Sequence, residues 1–283
     1  MTFSLSQFTR KSLKKHRLSP KKRLGQSFLI DKNALKKIVE AAKVRPSDVI
    51  LEVGPGTGNL TLKLASRAKK VLAVEKDPIL IPVLKEATRD FKNVKIIQGD
   101  ILKFNPKNHG LKTGGYKIVA NLPYYITSVF LRKFLEEKSP PKEMVLTVQK
   151  EVAKRVVAQP PKMNLLAVSV QFYARPKIIS FIKKRSFWPQ PKVDSAIIRL
   201  TVNKKRPAID KNLFFKIVKA GFSQPRKQLA GNLIKHLKIN QEEIKIWLLK
   251  NKISPECRAE SLSPKSWQRL VKNLSSNNLF FGL

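Results

Sequence analysis

Between residues 48 and 123, short apolar runs alternate with amphipathic stretches. "DVILEV", "KKVLAVEKD", "NVKIIQGD" and "YKIVANLP" are separated by segments such as "NLTLKLASRA" and "PILIPVLKEATRDF". The runs are rich in Val and Ile and short enough to be strands. Their alternation with helical patterns predicts an α/β fold, a mostly parallel sheet flanked by helices. After "TVNKKRPAID" the pattern turns helical, with "NLFFKIVKAGF", "EEIKIWLLKN" and "SPKSWQRLVKNL". In the last of these Ser263 suits an N-cap and Pro264 the first helical position. The expected organisation is a basic arm over residues 1–19, an α/β domain over 20–203 and a helical domain over 204–283.

Composition adds the class of partner. The chain has 283 residues, 42% of them hydrophobic, enough for one good-sized core and a second, smaller one. Its 58 Lys+Arg against 19 Asp+Glu give a net charge of +39, far beyond what solubility requires. Such a field seeks a polyanion, nucleic acid ahead of an anionic membrane. No uncharged apolar run approaches the about 18 residues of a membrane span. The arm, with Lys14, Lys15 and Arg17, is expected to be mobile and to lie along a nucleic-acid backbone, although an acid-free, Lys- and Ser-bearing start also reads as a transit peptide. The single Cys257 excludes an internal disulfide framework and fits a reducing compartment. His16, His109 and His236 lack metal-ligand spacing, so no metal is expected.

The chemistry sits where the strands end. "ILEVGPGTGNLT" reads as strand, glycine turn and helix, with Gly54, Gly56 and Gly58 letting a ligand approach the backbone. Glu75 follows at the end of the next strand, about 20 residues on, where a carboxylate can hold a ribose diol. The spacing is not that of the dinucleotide fingerprint, whose helix N-terminus faces a pyrophosphate. A cofactor with adenosine but no phosphate, such as S-adenosylmethionine, suits it better. Asp100, ending "KIIQGD", can accept from an adenine amino group. The fourth strand ends in Asn121, Leu122, Pro123 and Tyr124. The Asn121 side-chain oxygen and the Leu122 carbonyl are two acceptors for the hydrogens of an aromatic amine. Pro123 stiffens the turn, and Tyr124 offers a face for a base.

These segments, together with "KKRLGQSFLID", "QKEVAKRVVA", "SFWPQPKVDSAIIRL", "FSQPRKQL" and "RAESLSPKSW", resemble the successive motifs of the ribosomal RNA adenine dimethyltransferases. The closer likeness is to the type that modifies two adjacent adenosines near the 3′ end of small-subunit RNA. The resemblance implies a Rossmann-like, S-adenosylmethionine-dependent methyltransferase domain and N6,N6-dimethyladenosine as product. It implies that Ser27, Leu29, Gly54, Gly56, Glu75, Asp100 and Asn121 line the cofactor pocket, and that Tyr124 and Phe187 sandwich the adenine. Arg226 and Lys227 of "QPRKQ" would join the arm on phosphates. The implied partner is small-subunit ribosomal RNA or an assembling (pre-30S) particle, met by a cytoplasmic monomer.

Two departures stand out. Ser27 replaces the asparagine common in the family's "GQNFL" pattern, so that cofactor contact is expected to be weaker or made by the backbone. Met163 and Asn164 stand where a Tyr-Gly pair is usual. Two rival readings are a large-subunit methylase of the macrolide-resistance type, whose fourth motif usually reads Asn-Ile-Pro, and a non-catalytic ribosome-assembly or nucleic-acid-binding relative.

Overall fold

Ser4 opens the first helix by a capping box: its hydroxyl accepts from the Gln7 N–H at 3.1 Å, and the Gln7 side chain accepts from the Ser4 N–H at 2.8 Å. A computed structural model describes residues 4–275. Its backbone contacts divide the chain into two compact units. One runs up to Lys154 and resumes over Ala174–Lys204. The other consists of Arg155–Tyr173 and the chain from Lys205 onward.

In chain order the elements of the first unit begin with α1 (Leu5–Lys15), β1 (Phe28–Leu29), α2 (Lys32–Ala42) and β2 (Val49–Val53). Next come α3 (Asn59–Ala65), β3 (Lys70–Glu75), α4 (Ile81–Ala87) and β4 (Val94–Gln98). They are followed by β5 (Tyr116–Asn121), α5 (Thr127–Glu136), β6 (Glu143–Gln149) and α6 (Lys150–Val156). After α7 (Leu165–Tyr173), which belongs to the second unit, come β7 (Ala174–Ile182), β8 (Phe187–Trp188) and β9 (Ser195–Val202). Seven strands form one sheet in the order β4-β3-β2-β5-β6-β9-β7. The first five are parallel, and β9 runs antiparallel to both β6 and β7. Alternation along the strands puts Ile50, Val71, Val119, Val145 and Ile197 into one buried cluster with Leu35 and Ile38 of α2 and Leu60 and Leu64 of α3.

The basic arm is not a loose tail over its described part; Met1–Phe3 lie outside the described residues. Leu13 of α1 is buried with Phe28 and Leu80, and the Thr9 hydroxyl accepts from Asn59 Nδ2 at 2.9 Å. Glu86 pairs with Lys15 and, at 2.9 Å, with His16. Helical spacing aligns Leu5, Thr9 and Leu13 on one side, a stripe hidden among seven basic residues within Arg10–Lys22.

In the second unit α7 is joined by α8 (Lys211–Gly221), α9 (Leu229–Leu237), α10 (Gln241–Lys250) and α11 (Pro264–Ser275). Phe172 packs on Phe214 with ring centroids 4.3 Å apart, and a Cβ on Gly221 would lie 2.4 Å from Trp267, so α8 and α11 meet over a glycine. The Ser263 hydroxyl accepts from the Ser266 N–H at 3.1 Å, the cap read from sequence. Assigning Arg155–Tyr173 here differs from the contiguous domains expected. Val168, Val170 and Phe172 are buried, and a helix leaving one core for another carries no composition shift.

Candidate active site

The strand order reverses between β2 and β5, and in open α/β sheets ligands bind outside the carboxyl ends of the strands at such a point. A cleft of ≈ 610 Å³ opens there. Gly54, Gly56 and Gly58 have φ of 63°, 59° and 88°, a region that costs a side chain energy. At Gly56 a Cβ would also stand 2.8 Å from the Phe28 ring. The turn therefore lies against Phe28 with its backbone bare.

Glu75 ends β3 and is 6% exposed. Its two oxygens accept from the Gly56 N–H at 3.1 Å and the Asp77 N–H at 2.8 Å. Burial pushes the carboxyl above the usual range, against the downward pull of those N–H groups. Among the described residues no cationic side chain lies within ion-pair distance of it. Asp100 differs: Lys76 Nζ reaches it at 2.8 Å, and that hydrogen bond holds its carboxyl below the ordinary value. The Leu102 N–H donates to its other oxygen at 2.9 Å.

Asn121 ends β5, and its Nδ2 donates to the Ser27 carbonyl at 2.9 Å, which orients the amide and leaves Oδ1 as acceptor. The hydrogen bond inside the next turn runs from the Ile126 N–H to the Pro123 carbonyl, 3.2 Å, so it does not use the Leu122 carbonyl. The Tyr124 hydroxyl meets Ser195 Oγ at 2.6 Å, which pins the ring, and burial raises its phenol. Ser27, Gly54, Gly56, Glu75 and Asp100 line the same cleft as Asn121, Leu122, Pro123, Tyr124 and Phe187.

Leu29 does not line it. Paired with Phe187 across the β1–β8 ribbon, its side chain is buried in the cluster under α2 and α3, and Phe28, pointing the other way, faces the cleft. Phe187 does both: it lines the cleft yet is 3% exposed, so little of its surface is offered. The Ser27 hydroxyl is spent on the Pro189 carbonyl at 2.7 Å. Lys14, Lys15 and Arg17 are exposed at the end of α1 and just after it, and Arg226 and Lys227 are exposed between α8 and α9.

Three contributors escaped the sequence reading. Buried Asp77 receives Lys21 Nζ at 3.0 Å and Gln26 Nε2 at 2.8 Å, which fastens the segment carrying Ser27 and Phe28 beside the glycine turn. Lys76 and the 57% exposed Tyr125 stand at the cleft as well. Asp77 could have been suspected from "EKDP", since Asp before Pro is a helix-start signal whose side chain seeks N–H donors.

A largely parallel seven-stranded sheet ending in an antiparallel pair, with a glycine turn after β2 and acids after β3 and β4, defines a Rossmann-like methyltransferase of the S-adenosylmethionine-dependent class. The chain belongs to the ribosomal RNA adenine dimethylase family, whose profile matches residues 17–276. Ribosomal RNA small subunit methyltransferase A of Dehalococcoides mccartyi (strain CBDB1) is 42% identical over 276 residues, 97% of this chain and 95% of that one. The protein of the same name from Bacillus licheniformis is 43% identical, covering 94% of this chain and 95% of its own. Among solved structures, a dimethyladenosine transferase from Plasmodium falciparum has a TM-score of 0.74 at 27% identity, covering 89% of this chain and 98% of its own. The 23S rRNA methyltransferase ErmE follows at 0.72 and 27%, covering 88% and 99%.

Proposed function

We propose that this protein methylates N6 of two adjacent adenosines near the 3′ end of small-subunit ribosomal RNA, giving N6,N6-dimethyladenosine during ribosome assembly. The observation that carries the reaction type is the turn Asn121–Tyr124 at the cleft, with the Asn121 amide fixed by Ser27 and the Leu122 carbonyl left out of the turn's own hydrogen bond. The choice of RNA rests on the full-length relatives. Fold likeness does not separate the two RNA classes, since TM-scores of 0.74 and 0.72 are nearly equal.

The cleft fits S-adenosylmethionine. A buried carboxylate held only by backbone N–H groups beside a bare glycine turn has acceptor capacity for a ribose diol and would repel a phosphate. The cofactor supplies an electrophilic methyl group on a sulfonium sulfur. Gly54, Gly56 and Glu75 would hold its ribose side, and Asp100 its adenine amino group. On the substrate side the lone pair of adenine N6 is delocalised into the ring, which makes it a poor nucleophile. Asn121 Oδ1 and the Leu122 carbonyl accept its two hydrogens and favour a pyramidal nitrogen whose lone pair points at the methyl group. The residues act by placement, without an acid–base pair. Tyr124, pinned through Ser195, gives the unstacked base a face worth roughly 1–3 kcal/mol. Phe187 contributes the little surface it leaves open to the cleft.

Unstacking the target costs a few kcal/mol, offset by phosphate contacts from Lys14, Lys15, Arg17, Arg226 and Lys227. The protein works as a cytoplasmic monomer on an assembling particle. Among the described residues no helix is long and apolar enough to cross a membrane, and no group of three or more His, Cys, Asp or Glu is placed to hold a metal ion.

The test is nucleoside mass spectrometry on unmethylated small- and large-subunit particles incubated with protein and S-adenosylmethionine. Dimethyladenosine at two adjacent small-subunit positions is the expected result. Product confined to large-subunit RNA would overturn the substrate assignment, and no product despite RNA binding would overturn the enzyme reading.

A further inference from the structure

Beside the main cleft lies a second hollow of ≈ 440 Å³, lined by Gln149, Lys150, Glu151, Lys184, Lys192, Val193 and Asp194. Gln149, Lys192 and Val193 also line the main cleft, so the two spaces adjoin and share these side chains. Three segments converge on the hollow, the junction of β6 and α6, the turn before β8 and the loop before β9. Each contributes a lysine.

The two acids of the hollow are already matched. Asp194 accepts from the Lys184 N–H at 3.0 Å and has Lys183 Nζ at 3.5 Å, which keeps it ionised and locally neutralised. Glu151 pairs with Lys154 at 3.0 Å. Among the described residues no carboxylate lies within ion-pair distance of the ammonium groups of Lys150, Lys184 or Lys192. The balance left for a visitor is positive. At its margin Phe181 is 51% exposed, with Lys150 Nζ 5.6 Å from its ring centre. A cation beside an exposed aromatic face is the pairing that receives a nucleotide, phosphate on one and base on the other.

We infer that this hollow is a second substrate subsite, holding the nucleotide that flanks the target adenosine in the same RNA strand, with its phosphate on Lys150, Lys184 and Lys192. The inference rests on the RNA-methylating reading above and deepens it. A base turned into the main cleft leaves its neighbour about one nucleotide away, and the hollow adjoins that cleft at Gln149, Lys192 and Val193. Holding that neighbour fixes the strand's register, so that either of two adjacent adenosines can be presented in turn by a shift of one nucleotide.

The test uses the double variant Lys150→Gln, Lys184→Gln in the full-length protein, leaving Lys192 untouched because it also borders the main cleft. S-adenosylmethionine affinity is measured by calorimetry. kcat/KM is measured on unmethylated small-subunit particles across a salt series. The expected result is unchanged cofactor affinity, kcat/KM lower by about tenfold at moderate salt, and a salt dependence shallower by about one in log–log slope, the share of the one phosphate held there. Lys150→Arg, Lys184→Arg should restore both. Activity within twofold of the parent protein, or an unchanged slope, would overturn the subsite, as would a loss of cofactor affinity equal to the loss of activity. A parent protein that makes no methyladenosine would instead overturn the reading beneath it.

Discussion

At the amino-terminal edge of the sheet, Asp48 is 3% exposed and its oxygens meet Lys142 Nζ at 2.5 Å and Lys117 Nζ at 2.9 Å. Burial alone would raise this carboxyl, but the hydrogen bonds from Lys142 and Lys117 hold it at about 2. At the opposite edge Glu75, almost as deeply buried, meets only backbone N–H groups, and burial keeps it above its ordinary range. One buried charge is complete within the chain, and the other is not. Proteins seldom leave a buried carboxylate without a cation or a full set of donors. The edge where the chain withholds both is where a polar ligand gains most by binding.

Damage at the two edges therefore has different consequences. The largest is expected at the carboxyl edge. Asn121→Ala removes an acceptor for the target amine and the tie to Ser27, and should lower methyl transfer on the order of 10²- to 10³-fold, as loss of one preorganised hydrogen-bonding group does elsewhere. Thermal unfolding should move little. Nucleoside analysis together with a melting curve checks it, and a variant that melts early with unchanged kcat would erase the distinction between the edges.

At the amino edge, Lys117→Ala should do the reverse. Its ammonium also donates to the Ala42 and Lys43 carbonyls, each at 2.7 Å, so truncation strands the buried Ala42 carbonyl, frees the part-buried Lys43 carbonyl and takes one of two cations from Asp48. A loss of about 3 kcal/mol of stability is expected, with cofactor affinity of the folded protein unchanged. Denaturant titration and calorimetry separate the two. The contribution of Asp48 follows from its lowered value. It is fully present above the ordinary 3.8 and is lost as pH falls through about 2.

A third acid gives the opposite sign. Glu52 of β2 is 1% exposed, neither oxygen has a hydrogen-bond partner among the described residues, and burial pushes it up to about 8. A group raised in the folded state lends its full stability below its unfolded value near 4.5, and that stability is lost as pH rises through about 8. Glu52→Gln should therefore flatten the decline, its advantage over the parent growing by up to about 1.4 kcal/mol per pH unit in that window. Urea midpoints at pH 5 and pH 8 decide it: an equal shift at both would show Glu52 ionised in the fold.

How much of this was legible beforehand depended on whether the signal was local. The four strands, the glycine turn and Glu75, Asp100 and Asn121 could be read because each sits where an apolar run stops. The antiparallel pairing of β9 could not, because strand direction is set by the path of the intervening chain rather than by residues in the strand. The order of α1 was hidden by its charge. The direction of Leu29 was not legible because two adjacent residues in a two-residue strand point to opposite sides, and the motif does not say which faces the cleft. Asp77 was missed because its partners, Lys21 and Gln26, lie more than 50 residues away.

The smallest expected effect concerns Met163 and Asn164, which stand where the family pattern usually has a Tyr-Gly pair. Met163 is 3% exposed and its N–H donates to the Glu260 carbonyl at 2.9 Å. Asn164 Oδ1 accepts from the Ala167 N–H at 3.0 Å, capping α7, while its Nδ2 donates to the Arg155 carbonyl at 2.9 Å. Like Asp48, this polar group is completed by its own chain and leaves nothing for a ligand. Asn164→Ala should therefore cost about 1 kcal/mol of stability, the usual worth of a helix cap. The variant should bind cofactor and methylate at parental rates under conditions where it is folded. A fall in kcat/KM without a fall in stability would place the loop on the substrate, and completeness of hydrogen bonding would then not distinguish scaffold from site in this protein.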